Sequence, residues 1–158
     1  MAKSLYTARA HVAGGRDQGH GVTSDGALDL QLRTPVEMGG EGGGTNPEQL
    51  FAVGYAACFE GALGVVGRRE HVDLDAVAID SEVSLITTEN RGFNVAVRLN
   101  VSLPGINDTE RAISIVAAAH EVCPYSNATR GNVEVALTAN GQPVPVAVHP
   151  QASASPSH

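Results

Sequence analysis

Residues 45–58 read TNPEQLFAVGYAAC, and this stretch decides how the rest of the chain is organised. A threonine or asparagine cap precedes Pro47, which suits the first position of a helix, and Glu48 adds a carboxylate to the first turn. Apolar and small residues then recur at spacings of three and four, which is the pattern of one helix face. These positions are Leu50, Val53, Gly54, Ala57, Cys58, Gly61, Ala62 and Val65. We predict a long helix that ends near residues 67–69, with a second backbone element packed closely against its glycines and alanines.

The segments on both sides of this helix carry the alternating pattern of β-strands. The predicted strands cover residues 5–12, 28–32, 76–86, 93–103 and 133–137. A second helix begins at residues 107–110, and Pro124 ends it directly after Cys123. This order of elements predicts an α+β fold, in which a mainly antiparallel sheet packs on two main helices.

The 158 residues suffice for one domain with its own hydrophobic core. We predict that this single domain covers residues 1–139. The remainder, residues 140–158, is rich in Pro, Ala and Ser and shows no periodicity, so we expect it to be a disordered tail.

Charge and hydropathy argue against two classes of partner. The net charge is −7 and no run of Lys or Arg occurs, so we expect no nucleic-acid partner, which would require a basic patch. The first residues lack the apolar region of a signal peptide, and we expect no stretch long enough to span a bilayer, hence no membrane partner and a cytoplasmic location. In that reducing compartment, cysteines are more often catalytic, metal-binding or simply buried than joined in a permanent disulfide.

Cys58 and Cys123 each fall on the apolar face of a predicted helix. Free cysteines in such positions are usually small buried hydrophobic residues, and spacing alone leaves that interpretation open. The alternative is a redox pair that two helices hold side by side. Such a pair needs a nearby cation, because the thiolate is the nucleophile and an apolar site disfavours it. Arg16 and Arg130 both qualify, and the sequence does not choose between them.

Other chemistries have weaker support. His120 and Cys123 lie three residues apart on a helix and could form a two-ligand face, but no second pair accompanies them, so we predict no metal site. The chain has neither a CxxC motif of the thioredoxin type nor the GxSxG element of a serine hydrolase.

Five segments together resemble one known family. They are GGRD at 14–17, SDGALDL at 24–30, GTNPEQLFA at 44–52, GYAACF at 54–59 and CPYSNATRGN at 123–132. Their wording and order are similar to those of the organic hydroperoxide resistance proteins, within the superfamily of osmotically inducible protein C. The resemblance extends from about residue 5 to residue 137. The tail beyond Ala139 and an altered glycine loop around Glu41 depart from it.

The resemblance implies an intertwined homodimer and a cysteine-based peroxidase that reduces organic hydroperoxides. It makes Cys58 the peroxidatic cysteine, which the peroxide oxidises to a sulfenic acid. It makes Cys123 the resolving cysteine, which condenses with that sulfenic acid to a disulfide. It also implies that Arg16 stabilises the Cys58 thiolate and that Glu48 orients Arg16 by a salt bridge.

The resemblance further implies that no cofactor is bound and that a dihydrolipoyl group of a lipoylated protein is the external reductant. The substrates it implies are alkyl and fatty-acid hydroperoxides. From the apolar helix face we predict a substrate pocket lined by Phe51, Phe59 and Leu63. Two alternatives stay open: a non-catalytic relative that binds a small apolar ligand, and a metal-binding protein that uses His120 and Cys123.

Helix geometry makes a separate prediction about the dimer. Glu48 and Cys58 are ten residues apart on one predicted helix, which separates them by about 15 Å along its axis. One Arg16 side chain therefore cannot easily contact both within a chain, unless the helix breaks near Gln49. Two copies of the helix packed antiparallel would instead bring Glu48 of one chain near Cys58 of the other. The small residues expected to permit this approach are Gly54, Ala57, Gly61 and Ala62.

Overall fold

A computed structural model describes residues 2–146, and the chain divides into two compact units. The first unit, Met1–Leu50, contains a three-stranded antiparallel sheet in the order β1-β2-β3. Its elements are strand β1 Ala10–Ala13, helix α1 Gly15–Gln18, strand β2 Gly19–Thr23, strand β3 Asp29–Leu32 and a 3-10 helix at Val36–Met38. The predicted first strand is shorter than expected, because pairing with β2 begins only at Ala10. Gly14 and Gly15 have positive φ, and this left-handed turn opens the short helix α1.

The second unit, Phe51–His158, contains most of the long helix α2, which runs without a break over Pro47–Glu70. Its other elements are β4 Ala78–Thr87, β5 Phe93–Ser102, α3 Thr109–Val122, α4 Pro124–Thr129, β6 Glu134–Ala139 and β7 Gln142–Val144. The strands form one sheet in the order β4-β5-β6-β7. In this sheet β5 and β6 pair in parallel, because α3 and α4 form the crossover between them. The predicted α+β fold with two main helices and mainly antiparallel pairing is confirmed, although the strands form two sheets instead of one.

The core of the second unit is built from one face of its sheet and the buried faces of α2 and α3. Along β5, the buried residues Val97, Leu99 and Val101 alternate with Arg98, which is exposed. This is the period of two that the sequence shows. The main helical contributors are Tyr55, Phe59, Leu63 and Val66 from α2 and Ala112, Ile115, Val116 and Ala119 from α3.

Helix α2 is long and apolar enough to cross a membrane by length and composition, with a mean hydropathy of 1.6 over 18 residues. The expectation that no stretch reaches this length is therefore wrong. One face of α2 belongs to the core, which is the position of a core helix in a folded domain. Its opposite face leaves Val53, Ala57 and Gly61 exposed within the described part of the chain.

The sheet ends later than the sequence predicts. Strand β7 pairs with β6, and Val144 is only 4% exposed. The domain boundary at residue 139 is therefore wrong, as is the expectation of disorder for residues 140–146. The rest of the predicted tail lies outside the described residues. Asn140 and Gly141 both have positive φ and join the two strands, which is the geometry that an Asn-Gly pair favours in hairpins.

Val144→Ala should lower the free energy of unfolding by about 1–3 kcal/mol, because it removes buried apolar contacts from the core. Urea denaturation followed by circular dichroism measures this change. The matched control is Gln142→Ala at an exposed position of the same strand, which should alter stability by less than about 0.5 kcal/mol. Equal stability of Val144→Ala and the wild type would contradict the extension of the core through β7.

Candidate active site

Cys58 and Cys123 lie side by side in the second unit, with their sulfur atoms 3.6 Å apart. Cys58 is on α2 and is half-buried, whereas Cys123 is fully buried. Both are free thiols, and their separation exceeds a disulfide bond length by roughly 1.5 Å. The two thiols are thus adjacent, as a redox pair requires.

Cys123 occupies the junction of two helices. It caps the C-terminus of α3 and the N-terminus of α4, and its backbone is extended, with φ −64° and ψ 122°. Pro124 explains this conformation, because proline disfavours a helical backbone at the residue before it. Proline also suits the first position of a helix, so α4 begins at once. The sequence predicts the end of α3 correctly but misses α4.

The surroundings of Cys58 within the second unit favour the protonated thiol. Burial raises the pKa of Cys58, and the neighbouring Cys123 raises it further. The backbone N–H of Tyr125 donates to Cys58 and partly offsets this rise in pKa. Among the described residues 51–146, no cation is a cause of this shift in the pKa of Cys58. A reactive thiolate here therefore requires an additional positive charge.

Arg16 and Glu48 form an ion pair in the first unit. The Arg16 Nη2 atom donates to Oε2 of Glu48 at 2.8 Å. The Nε atom of Arg16 is buried and has no hydrogen-bond partner among residues 2–146, so the guanidinium has a donor to spare. Helix α1 carries Arg16, and the first turn of α2 carries Glu48. The expected salt bridge is present, and its role toward Cys58 stays a prediction.

Arg130, the other candidate cation, is bound to the end of α3. Its Nη2 atom donates to the carbonyl oxygen of His120 at 2.7 Å, and its Nη1 atom donates to Oδ1 of Asn127 at 2.7 Å. Glu121 lies 3.9 Å from the same guanidinium. Cations stabilise helix C-termini in this way. Within the unit that contains it, Arg130 serves α3 rather than Cys58.

The three predicted pocket residues differ in how deeply they are buried. Phe59 and Leu63 are fully buried in the core, so they cannot line an open pocket, and this part of the prediction is wrong. They follow the face of α2 that packs into the core. Phe51 is half-buried and forms an aromatic cluster with Tyr55 and Tyr125, with ring centroids between 5.7 and 6.0 Å apart. Tyr125 lies two residues after Cys123, and the sequence analysis did not single it out.

A buried polar cluster, which sequence analysis missed, connects the helices that hold the cysteines. The Tyr55 hydroxyl is 2.9 Å from Ser126 Oγ and 3.2 Å from Thr129 Oγ1. Nδ1 of His120 is 2.8 Å from Ser126 Oγ. All four residues are buried. Burial lowers the pKa of His120, and the nearby Arg130 lowers it further, so the ring is neutral at neutral pH.

The described residues give no support to the metal-binding alternative. Nδ1 of His120 is already hydrogen-bonded to Ser126. Over the part of the chain that the structure describes, no three His, Cys, Asp or Glu side chains come together as a metal site would need.

Comparison with known proteins identifies the family. The profile of the OsmC-like protein family matches residues 40–138. An organic hydroperoxide resistance protein from Xanthomonas axonopodis pv. citri is 52% identical over 138 residues, which cover 86% of this chain and 95% of that relative. The organic hydroperoxide resistance protein OhrB from Bacillus subtilis is 47% identical over 135 residues, which cover 85% of this chain and 97% of that relative.

A solved structure agrees with these matches. The crystal structure of an organic hydroperoxide resistance protein from Legionella pneumophila has a TM-score of 0.81 and 53% sequence identity. The alignment covers 85% of this chain and 97% of the Legionella chain. The chain therefore belongs to the OsmC-like family, in its branch of organic hydroperoxide resistance proteins.

Proposed function

We propose that the chain is a thiol-dependent peroxidase that reduces organic hydroperoxides to alcohols. The observation that carries the proposal is the pair of free thiols with sulfur atoms 3.6 Å apart. Its context is a chain whose relatives are named for organic hydroperoxide resistance. Two thiols at this separation need only a small movement to form a disulfide.

Unequal exposure supports different roles for the two cysteines. Cys58 is half-buried and open to a substrate, whereas Cys123 is fully buried. The Cys58 thiolate attacks the terminal oxygen of the hydroperoxide and the O–O bond breaks. Cys58 becomes a sulfenic acid, and the departing alkoxide takes up a proton to give the alcohol. The Cys123 thiol then attacks the Cys58 sulfur, and the disulfide forms with release of water.

The Arg16–Glu48 ion pair is the candidate for the charge that activates Cys58. Burial disfavours the Cys58 thiolate, and a guanidinium within about 4–6 Å would favour it. Glu48 holds one terminal nitrogen of Arg16 at 2.8 Å, which limits the freedom of the side chain. The Nε atom of Arg16, which has no acceptor among residues 2–146, is a further donor that could bond to a thiolate.

Arg16→Ala should move the pH dependence of Cys58 alkylation to higher pH, because burial then dominates the pKa of the thiol. At neutral pH the variant should react more slowly, by about tenfold for each unit by which the pKa rises. The rate of iodoacetamide alkylation against pH measures this. Arg98→Ala, which removes an arginine that is 60% exposed, is the matched control. An unchanged profile for Arg16→Ala would contradict the assignment and leave Arg130 to be tested next.

A second copy of the chain is the proposed cover for the exposed face of α2. Val53 is 71% exposed, and Ala57 and Gly61 are exposed beside it, so the helix presents a stripe of apolar and small residues. Two of the four small residues that we expected at this helix–helix contact lie elsewhere. Gly54 packs against a tyrosine of its own chain, and Ala62 lies in the core.

The continuity of α2 supports a shared site in this homodimer. The helix has no break near Gln49, so Glu48 and Cys58 of one chain stay about 15 Å apart along its axis, too far for one Arg16 to contact both easily. We therefore propose antiparallel α2 helices, with the Arg16–Glu48 pair of one chain beside Cys58 of the other.

Alkyl and fatty-acid hydroperoxides are the proposed substrates. The half-buried Phe51 and the exposed Tyr125, whose ring centroids lie 5.9 Å apart, supply apolar surface for them in the unit that holds both cysteines. The proposed reductant is a dihydrolipoyl group of a lipoylated protein, in the cytoplasm. Its two thiols reduce the Cys58–Cys123 disulfide and leave as a cyclic disulfide.

Consumption of cumene hydroperoxide by the purified protein, with dihydrolipoamide as the only reductant, tests the proposed function. We expect catalytic turnover, with higher kcat/KM for cumene and fatty-acid hydroperoxides than for hydrogen peroxide. Equal values for hydrogen peroxide and the alkyl substrates would contradict the substrate assignment. If peroxide leaves both thiols reduced, the non-catalytic alternative, a protein that binds a small apolar ligand, is favoured instead.

A further inference from the structure

Four buried polar side chains connect the three helices around the two cysteines, and the proposed chemistry does not use them. We call them the buried hydrogen-bond chain: Tyr55 on α2, His120 on α3, and Ser126 and Thr129 on α4. Tyr55 lies one turn before Cys58 along α2. Cys123 is the single residue between α3 and α4. The buried hydrogen-bond chain therefore links all three helices close to the two thiols.

Counting protons determines the direction of each hydrogen bond. Thr129 Oγ1 donates to the carbonyl oxygen of Ser126 at 3.3 Å, which uses the one proton of that hydroxyl. The 3.2 Å contact between Thr129 and Tyr55 then requires the Tyr55 hydroxyl to donate. The Ser126 hydroxyl must in turn donate to the Tyr55 oxygen, 2.9 Å away. Ser126 Oγ accepts from Nδ1–H of His120 at 2.8 Å.

This assignment satisfies every contact in the buried hydrogen-bond chain and gives His120 a defined tautomer. The lowered pKa keeps the ring neutral, so its single proton is on Nδ1. The bonds run in one direction, from His120 through Ser126 and Tyr55 to Thr129. Breaking any of them leaves a buried polar group without a partner, which is costly, so a fully satisfied chain of this kind holds its helices rigidly.

The backbone around Cys123 is fastened as well. The N–H of Cys123 donates to the carbonyl oxygen of Ala119 at 2.9 Å, and the carbonyl oxygen of Cys123 accepts from the N–H of Asn127 at 2.9 Å. Arg130, which caps the C-terminus of α4, donates to the carbonyl oxygen of His120 on α3. The backbone of Cys123 is therefore held by hydrogen bonds to both α3 and α4.

We propose that the buried hydrogen-bond chain positions Cys123 for disulfide formation with Cys58. The inference rests on the proposed thiol chemistry and concerns its second step alone. That step must bring the sulfurs from 3.6 Å to about 2.05 Å, while the Cys58 hydroxyl and the Cys123 proton leave as water. The Tyr55 hydroxyl ties α2 to α4 one turn from Cys58, so it controls the separation across which the bond forms.

Tyr55→Phe keeps the ring and removes the hydroxyl that joins α2 to α4. In rapid mixing with one equivalent of cumene hydroperoxide, we expect Cys58 to form its sulfenic acid at the wild-type rate. Disulfide formation should be about 10- to 100-fold slower, because small displacements of reacting atoms have effects of this size. In excess peroxide, more Cys58 should reach the sulfinic acid, which mass spectrometry quantifies. A general loss of stability would not change this partition between disulfide and sulfinic acid.

Thr138→Val is the matched control, because it removes a hydroxyl hydrogen bond of 3.0 Å to Asn100 from the sheet of the same unit. Its rate of disulfide formation should equal that of the wild type. A second pair of variants addresses the other end of the buried hydrogen-bond chain. His120→Leu should slow disulfide formation, whereas His120→Asn should restore most of the rate, because its amide N–H takes the place of Nδ1–H.

A folded Tyr55→Phe protein that forms its disulfide at the wild-type rate would overturn the proposal. If Tyr55→Phe does not fold, the histidine variants decide, and equal rates for His120→Leu and His120→Asn would overturn it. Failure of the proposed function looks different, because the wild-type protein itself would then form no sulfenic acid with peroxide.

Discussion

Cys58→Ser should abolish hydroperoxide turnover, with a fall of at least about a thousandfold in kcat/KM. Of the two thiols, Cys58 is the one that a substrate can reach, because Cys123 is fully buried. A serine hydroxyl is not ionised at neutral pH and is a weak nucleophile without a base to activate it. Steady-state turnover of cumene hydroperoxide with dihydrolipoamide measures the loss.

Cys123→Ser is the informative counterpart, because it should separate the two steps. The variant keeps Cys58, so it should reduce about one equivalent of peroxide per chain and then stop with Cys58 as a sulfenic acid. Peroxide consumption without reductant and the mass of the product establish this. The roles of the two cysteines are wrong if Cys123→Ser fails to reduce its first equivalent, or if Cys58→Ser still turns over.

The long elements of the fold were predictable from sequence because each carries its own pattern. Helix α2 has a cap, a proline at its first position and a continuous apolar face, and β5 alternates over its whole length. The short elements α4 and β7 were missed. Pro124 both ends α3 and begins α4, and β7 follows an Asn-Gly turn inside a segment with the composition of a tail. Both are stabilised by tertiary pairing and packing, which local sequence does not encode.

The candidate site was predictable to the extent that helix faces determine it. Cys58 and Cys123 both fall on apolar helix faces, and those faces meet in the core. The same reasoning from helix faces led us to predict Phe59 and Leu63 as pocket residues. That prediction failed because large apolar side chains on such a face more often belong to the core.

The buried hydrogen-bond chain had no local signature in the sequence. Its Tyr55 and Thr129 are 74 residues apart, so no spacing pattern connects them. The choice between Arg16 and Arg130 was likewise undecided by sequence, because the contact of Arg16 with Glu48 spans 32 residues.

Mixing two defective variants should restore activity if the dimer shares its sites. One variant carries Arg16→Ala and keeps Cys58, and the other carries Cys58→Ser and keeps the Arg16–Glu48 pair. If the ion pair acts across the interface, one of the two sites in each heterodimer is complete. Random association of equal amounts makes half of the dimers mixed, so about a quarter of the wild-type sites should be recovered. Co-expression of the two chains with different tags, followed by peroxidase assays, measures this.

The matched control is a mixture of Cys58→Ser with Cys123→Ser. These two thiols lie 3.6 Å apart within one chain, so no mixed dimer regains a chain that has both, and turnover should stay at the level of the separate variants. Recovery in the first mixture but not in the second would support a site assembled from two chains. If the Arg16–Glu48 pair serves Cys58 of its own chain instead, neither mixture contains a complete site, and the first mixture would show only the mean activity of its two components. That result would refute the shared site but not the proposed peroxidase chemistry. The shared site decides only which chain supplies the cation, whereas burial raises the pKa of Cys58 in either case.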